Sequence, residues 1–164
     1  MPESRPALSP AARHVQDTLR ALGREYSVQE SEHSTRTSAE AAQAVGCRVG
    51  QIAKSLVFRA QKSGRAVLVI ASGANRVDEA RLAELLGEPI GRASPDFVRE
   101  HTGYAIGGVA PVGHPSPLPI YIDADLLSFD EIWAAAGTPN AVFPLPSADL
   151  PALTGGRVVD IRGA

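Results

Sequence analysis

This sequence of 164 residues has a single cysteine, no long apolar run and almost no net charge. The one cysteine, Cys47, excludes an intramolecular disulfide and any cysteine-based zinc site. No apolar run approaches the roughly 18 residues that a membrane-spanning helix needs. With a formal net charge of -2, the chain has no overall positive field that would indicate a nucleic-acid partner.

A signal sequence is also missing from the beginning of the chain. The first ten residues, MPESRPALSP, lack the apolar core of a signal peptide. We therefore expect residues 1–8 to be a disordered lead-in, and we expect a cytoplasmic protein without a membrane partner.

Charges of one sign are absent from two long segments. Residues 41–77 contain no Asp or Glu, and residues 100–156 contain no Lys or Arg. The acid-free segment carries six basic side chains, namely Arg48, Lys54, Arg59, Lys62, Arg65 and Arg76. It predicts either an ordinary solvated surface with counter-charges from elsewhere in the fold, or a modest positive face.

Signals for helix starts are frequent. Ser9 and Pro10 supply an N-cap and a first-turn proline before an apolar stripe with helical spacing. Ser94 and Pro95 repeat this pattern, TSAE at residues 37–40 has the spacing of a capping box, and DEARLAELLG at residues 78–87 has helical periodicity. SFDE at residues 128–131 has the capping-box spacing again, which predicts a helix over IWAAAG.

Strand patterns fill the intervals between these helices. SLVFRA, QKSG and RAVLVIA, residues 55–71, predict a β-hairpin, and residues 118–123, 140–145 and 157–162 predict three more strands. Because hairpins alternate with helices, we predict a single α/β domain with a mixed sheet flanked by helices. Its hydrophobic content of 44% suffices for a core of its own.

The usual catalytic constellations are missing as well. The four histidines form no HExxH pattern and have no cysteine partner, so no metal site is expected. No GxSxG elbow occurs, and Cys47 is expected to be a small buried residue. Asp123 and Asp125 follow a predicted strand, where such carboxyls act as acid and base or, more often, as turn and cap residues.

The stretch GYAIGGVAPVGH, residues 103–114, is rich in glycine but lacks the spacing of nucleotide-binding loops. Gly107, Gly108 and Gly113 permit backbone conformations closed to other residues, and Pro111 stiffens the segment. From the residues alone, the stretch predicts either a set of backbone N–H donors for a ligand oxygen or a tight crossover between strands.

Lysine is scarce in this chain, which has 14 arginines and only two lysines. Lys62 belongs to the predicted hairpin turn. Lys54 precedes an apolar strand at a predicted junction, where its ammonium either faces a pocket and binds a phosphate or carbonyl oxygen, or points into solvent.

Five motifs occur here in an order known from one protein family. They are QIAKSLVF at residues 51–58, AVLVIA at 66–71, GANRVD at 73–78, TGYAIGGVAPVGH at 102–114 and GTPNAVFPL at 137–145. The chain thereby resembles the YbaK/ProX family, the free-standing relatives of the editing domain inserted in bacterial prolyl-tRNA synthetases. The resemblance implies one editing domain over residues 9–164, with a mixed, mostly antiparallel sheet and a barrel-like core flanked by helices.

The same resemblance implies an aminoacyl-tRNA deacylase that acts in trans on a mischarged tRNA. Lys54 matches the family's essential lysine, which anchors the 3′ end or polarises the ester. Gly107, Gly108, Pro111 and Gly113 match the GxxxP-type loop, whose backbone amides are expected to hold the 3′ end or the ester carbonyl, with Gly107 and Gly108 as catalytic residues. The further expected pocket residues are Ser55, Ser72, Gly73, His114 and Asn140.

The resemblance also sets expectations for cofactors and partners. It implies no metal and no organic cofactor, since water or the substrate's own side chain attacks while the protein supplies positioning and electrostatics. The expected partners are the 3′ end of a mischarged tRNA and an aminoacyl-tRNA synthetase. We expect a monomer or a weak homodimer.

At two positions this sequence differs from some relatives, and these differences leave the identity of the amino acid removed undetermined. Ser55 stands where several members have Asn, and the strand around Asn140 lacks a histidine that some members have. The amino acid removed therefore stays open among alanine, cysteine, serine and threonine, with tRNA-Pro as the expected tRNA. Two alternative functions are a non-catalytic module of the same fold that binds tRNA or a synthetase, and a protein that binds or hydrolyses a small nucleotide.

Overall fold

A computed structural model describes residues 8–32 and 37–163. The expected lead-in lies outside these ranges apart from Leu8, which packs against the apolar core. The helices within the described ranges are α1 (Pro10–Ala21), α2 (Ser38–Val45), α3 (Glu79–Leu86), α4 (Pro95–Thr102) and α5 (Leu150–Thr154). The strands are β1 (Gln29–Glu30), β2 (Ile52–Ala60), β3 (Ala66–Ser72), β4 (Ile90–Arg92), β5 (Ile120–Asp123), β6 (Glu131–Ala135), β7 (Ala141–Pro146) and β8 (Arg157–Val159).

All eight of these strands form one mixed sheet with the order β1-β7-β6-β2-β3-β5-β8, and β4 joins β2 beside this path. The pairs β1–β7, β2–β3, β2–β4 and β6–β7 are antiparallel, whereas β2–β6, β3–β5 and β5–β8 are parallel. The predicted single domain with a mixed sheet and flanking helices is therefore confirmed, and so is the β2–β3 hairpin.

β2 is the strand around which the site is built. One of its edges pairs with β3 from Ala53 to Arg59. The other edge is shared, because β6 pairs with Ile52 and Ala53, and β4 pairs with residues 58–60. Within the described ranges, residues 54–57 have no strand on that second edge. The sheet therefore has a gap beside the middle of β2.

Three predicted helix starts are confirmed together with their capping hydrogen bonds. The hydroxyl oxygens of Ser9, Thr37 and Ser94 each accept the backbone N–H of the residue three positions further along. Each bond satisfies one of the N–H groups that the first turn of a helix leaves without a partner. The local sequence was sufficient to place these helices because both bonding groups lie within four residues.

The prediction of a helix after Ser128 is wrong, because residues 131–135 form the strand β6. The Ser128 hydroxyl does not cap a helix but donates to the Asp125 carbonyl within a short turn. β6 pairs with strands on both edges, and its alternate residues Ile132 and Ala134 are buried in the core. This pairing outweighs the capping-box pattern, and the alternation of buried positions was the signal for a strand.

Two apolar clusters lie on opposite faces of the hairpin. Leu68 and Ile70 of β3 pack in one cluster with α1, β6 and β7, whereas Val67 and Val69 pack in the other with Leu82 of α3. Because successive strand residues point to opposite faces, both faces of β3 are buried. None of the helices in the described ranges has the length and apolar character that a membrane span requires.

Candidate active site

A cavity of about 430 Å³ lies at the gap beside the middle of β2. Its wall comes from β2, β6, β7, the start of α2, the end of β4 and the segment around Gly107. The lining is mostly apolar, and among the described residues it includes two cations, Lys54 and Arg92, but no acidic side chain. The volume is in the range of small-molecule binding sites.

Lys54 reaches this cavity from a position held by hydrogen bonds. Its Nζ donates to the backbone carbonyl of Asn75 at 2.6 Å. The Asn75 side-chain amide donates in turn to the carboxylates of Asp123 and Asp125, at 2.9 and 2.8 Å. These bonds fasten the segment that follows β3 to the end of β5. Asn75 therefore has two roles, because its backbone carbonyl accepts the Lys54 ammonium and its side-chain amide holds that carbonyl in place.

The environment of Lys54 changes its protonation equilibrium. Burial lowers the pKa of Lys54 below its ordinary value, the carboxylate of Asp123 opposes this effect, and the positive charge of Arg76 adds to it. Asp123 is 1% exposed and accepts the N–H groups of Ser72 and Asp125. The role of Asp123 as a cap residue is thus confirmed, because its oxygens are occupied by these donors.

Gly107 and Gly108 are neighbours with different surroundings. Gly107 lines the cavity and has φ +88, a left-handed conformation that favours glycine. At Gly108, a Cβ atom would lie 2.6 Å from the Cα of Thr138. The Gly108 N–H donates to the Ala105 carbonyl, and its carbonyl accepts the Gly137 N–H. Gly107 therefore lies at the cavity, whereas the Gly108 N–H is occupied by a hydrogen bond within the loop.

Pro111, Gly113 and His114 lie outside the cavity lining. The His14 ring of α1 donates from Nε2 to the Gly113 carbonyl at 2.9 Å, and the His114 ring donates from Nε2 to the Ala110 carbonyl at 2.8 Å. Burial lowers the pKa of His114 below its ordinary value. The loop is therefore held against α1 at residues 111–114, which we call its anchor end.

Of the four remaining expected pocket residues, one lines the cavity and three do not. Ser55 lines the cavity, and its buried Oγ has no hydrogen-bond partner among the described residues. Ser72, Gly73 and Asn140 are outside the lining. The Ser72 hydroxyl donates to the Gly50 carbonyl at 2.7 Å.

Gly73 and Asn140 each have other contacts in the structure. A Cβ atom at Gly73 would lie 2.5 Å from the Val49 carbonyl oxygen, so Gly73 permits a close approach of two backbone segments. The Asn140 side-chain amide donates to the Ser31 carbonyl at 3.2 Å.

Sequence reasoning missed four residues that the structure places at the site. Phe58, Arg92 and Trp133 line the cavity, and Asn75 holds Lys54. Asn75 lies inside the quoted GANRVD motif, which was the available signal. Trp133 was hidden by the wrong helix prediction, and no local pattern distinguished Arg92 from the other arginines.

Neither a metal centre nor an activated thiol is present among the described residues. No group of three His, Cys, Asp or Glu side chains there is arranged to hold a metal ion. Burial and the Glu131 carboxylate raise the pKa of the Cys47 thiol, which disfavours the nucleophilic thiolate. Within the described ranges, the cavity therefore offers two cations, side-chain hydroxyls and backbone groups as its chemical equipment.

The sequence profile of the aminoacyl-tRNA editing domain matches residues 32–153. The chain belongs to the aminoacyl-tRNA editing domain family. A solved structure, described as a candidate trans-editing enzyme for prolyl-tRNA synthetase, is 52% identical and has a TM-score of 0.91 over 96% of this chain and 100% of that chain. This agreement shows that the fold is that of the editing domain.

Two relatives cover most of the editing domain. The uncharacterized protein YwhH of Bacillus subtilis (strain 168) is 34% identical over 127 residues, which are 77% of this chain and 80% of that protein. EbsC of Enterococcus faecalis (strain ATCC 700802 / V583), named as a candidate Cys-tRNA(Pro)/Cys-tRNA(Cys) deacylase, is 29% identical over 121 residues, which are 73% of each chain.

Proposed function

We propose that this editing domain is a hydrolase that acts in trans and cleaves the ester bond of a mischarged aminoacyl-tRNA. The observation that carries this proposal is the Lys54 ammonium beside a mostly apolar cavity with no acidic side chain among its described lining residues. A cation in such a place stabilises the negative charge that develops on the carbonyl oxygen when an ester is attacked.

The reaction needs no nucleophile from the protein. Water adds to the carbonyl carbon, the bond between that carbon and the ribose oxygen breaks, and the ribose oxygen leaves with a proton as a hydroxyl. Lys54 and the backbone N–H of Gly107, a residue that lines the cavity, stabilise the carbonyl oxygen during this step, and the cavity holds the ester in place. Catalysis then rests on positioning and charge.

The apolar part of the cavity supports a small amino acid as the group removed. Ala93, Val109, Ala134 and Ala141 line it, so it offers a short side chain a matching apolar surface. Alanine, cysteine, serine and threonine are the candidates. The names of EbsC and of the solved relative support tRNA-Pro as the carrier and prolyl-tRNA synthetase as the partner.

The test is a deacylation assay with tRNA-Pro and tRNA-Thr, each charged separately with these four amino acids. We expect Lys54→Ala to slow hydrolysis by about 100-fold or more, because one stabilising group of the developing oxyanion is lost. Lys62→Ala is the matched control, since Lys62 is the other lysine of the chain and is exposed at the hairpin turn. It should retain full activity.

Thermal unfolding of each variant shows that the comparison is made between folded proteins. A folded Lys54→Ala variant with full activity would contradict the proposed role of the lysine. If the folded wild-type protein hydrolyses none of the substrates, the proposal is wrong, and a non-catalytic module that binds tRNA or a synthetase takes its place.

A further inference from the structure

We propose that one face of the sheet at the cavity binds the single-stranded 3′ end of tRNA, with Arg92 on a backbone phosphate and with Phe58 and Trp133 stacked on bases. We call this surface, formed by Trp133, Lys54, Phe58 and Arg92, the strand-binding face. The inference rests on the proposed function, because it concerns the nucleic-acid part of the same substrate.

Strand register places these side chains on one face. Phe58 follows Lys54 by four residues on β2, and alternate residues of a strand point the same way. Phe58 lies directly opposite Arg92 of β4, and Ile52, two residues before Lys54, lies opposite Trp133 of β6. All four side chains therefore project from the same side of three adjacent strands.

The order of these side chains suits a single strand of RNA. Proteins that bind single strands combine aromatic rings, on which bases stack, with cations that follow the phosphates. Lys54 and Phe58 are about 13 Å apart along β2 at roughly 3.3 Å per residue, so Lys54 and the more distant Arg92 contact different nucleotides. With Lys54 at the ester, the terminal base lies toward Trp133, and the preceding nucleotides leave the cavity past Phe58 toward Arg92.

Arg92 is available for a phosphate. It is exposed, lines the cavity and forms no ion pair with a described residue. Arg59 is close to it in the sheet but pairs with Gly91, so its side chain lies on the opposite face. There the Arg59 guanidinium stacks over the Phe97 ring at 5.4 Å. Arg59 is therefore the matched control for Arg92.

The first experiment compares two substrates that carry the same ester. Aminoacyl-tRNA has the phosphates and bases of the 3′ strand, whereas 3′-aminoacyl-adenosine has neither the phosphates nor the preceding bases. We expect Arg92→Ala to raise KM for aminoacyl-tRNA about tenfold, because a charge-assisted contact is lost, with kcat unchanged. Hydrolysis of aminoacyl-adenosine should fall by a clearly smaller factor than hydrolysis of aminoacyl-tRNA, and Arg59→Ala, at a residue outside the cavity lining, should alter neither reaction.

Two results of this experiment would overturn the inference. An equal loss on both substrates would show that Arg92 supports the fold of the cavity and not the RNA strand. Unchanged kinetics of Arg92→Ala with aminoacyl-tRNA would show that no phosphate is bound there.

The second experiment measures binding without catalysis. The probe is a short uncharged RNA ending in CCA, titrated at several salt concentrations with fluorescence anisotropy and with the emission of Trp133, the only tryptophan. Arg92→Ala should reduce the slope of log affinity against log salt by about 0.7, the value for one phosphate of a single strand. Phe58 is half-buried and also packs against the apolar cluster around Leu82, a contact that leucine largely keeps. Phe58→Leu should therefore weaken binding about fivefold or more at an unchanged slope, since the ring that stacks on a base is lost.

The two experiments separate this inference from the proposed function. RNA binding that depends on Arg92, without any hydrolysis by the wild-type protein, would support the strand-binding face and contradict the deacylase proposal. Hydrolysis that depends on Lys54, with RNA binding insensitive to Arg92 and Phe58, would support the deacylase proposal and contradict the strand-binding face. Binding that leaves the emission of Trp133 unchanged would overturn the assignment of that residue.

Discussion

Gly107 and Gly113 have nearly the same left-handed backbone, with φ values of +88 and +83, yet they lie in opposite surroundings. Among the described residues, a Cβ atom at Gly107 would meet only Pro139, at 3.6 Å, and Gly107 lines the cavity. A Cβ atom at Gly113 would collide with the Tyr104 hydroxyl and lie 2.8 Å from Nε2 of His14. One end of the loop is thus open to a ligand, and the other is packed beneath α1.

This difference teaches that a glycine-rich motif is not a functional unit as a whole. The cavity end presents a backbone that a substrate can approach, whereas the anchor end holds the loop in place through Tyr104, His14 and His114. Substitutions at the cavity end should therefore change activity more than stability. Substitutions at the anchor end should do the opposite.

The largest effect on stability is expected for Gly113→Ala. It combines a positive φ with a collision in a packed site, so we expect a loss of about 3 kcal/mol in the free energy of unfolding. Gly64→Ala is the control for backbone strain alone, because Gly64 has φ +74 and no atom of the described residues lies within 4 Å of a Cβ atom there. It should lose about 1 kcal/mol.

Urea unfolding measures both values, and deacylation per folded molecule completes the comparison. Gly113→Ala should keep its activity below its unfolding temperature, whereas Gly107→Ala should lose about 1 kcal/mol of stability together with a several-fold loss of activity. The distinction between the two ends fails if Gly113→Ala proves as stable as Gly64→Ala.

An intermediate effect is expected for Asn75→Ala, which tests how the cavity end is positioned. Without the side-chain amide, the segment that presents the Asn75 carbonyl to Lys54 is no longer tied to Asp123 and Asp125. We expect kcat to fall about tenfold while KM stays the same, because the ammonium is less well placed.

A double variant distinguishes positioning from general damage. In the Lys54→Ala background, Asn75→Ala should have no further effect on the residual rate, since the group that it positions is already gone. An equal tenfold loss in both backgrounds would mean that Asn75 acts on the fold and not through Lys54.

The smallest effect concerns pH. Burial lowers the pKa of Lys54, so the ammonium loses its proton at a lower pH than an ordinary lysine. The catalysed rate, corrected for uncatalysed alkaline hydrolysis, should therefore fall as pH rises toward the ordinary lysine value of about 10.4 and begin to fall before it. Lys54→Arg should remove this decline, because a guanidinium stays protonated there. The same decline in both proteins would assign it to another group.

Much of the fold could be predicted from local patterns. The caps at Ser9, Thr37 and Ser94 and the alternation in the β2–β3 hairpin depend on residues close in sequence, and these elements were found. β6 was missed for the converse reason. Its identity depends on strands that pair with both of its edges, and the capping-box spacing before it was misleading.

The candidate site divides in the same way. Lys54, Ser55 and Gly107 were anticipated, and all three line the cavity. Each of them lies in a short sequence motif that could be recognised without knowledge of the strand pairing. Arg92 and Trp133 could not be anticipated, since each reaches the site through the register of a strand that pairs with β2 from far along the chain.

The family, the helix starts, the hairpin and one unusual lysine all follow from the amino-acid sequence, because each depends on short motifs or short-range hydrogen bonds. Only the tertiary structure decided where the cavity lies. The gap beside β2 exists because β6 pairs with one end of its edge and β4 with the other, and this pairing places Trp133 opposite Ile52 and Arg92 opposite Phe58. Contacts between residues far apart in the sequence also distinguish Gly107, beside Pro139 at the cavity, from Gly113, beside His14 of α1.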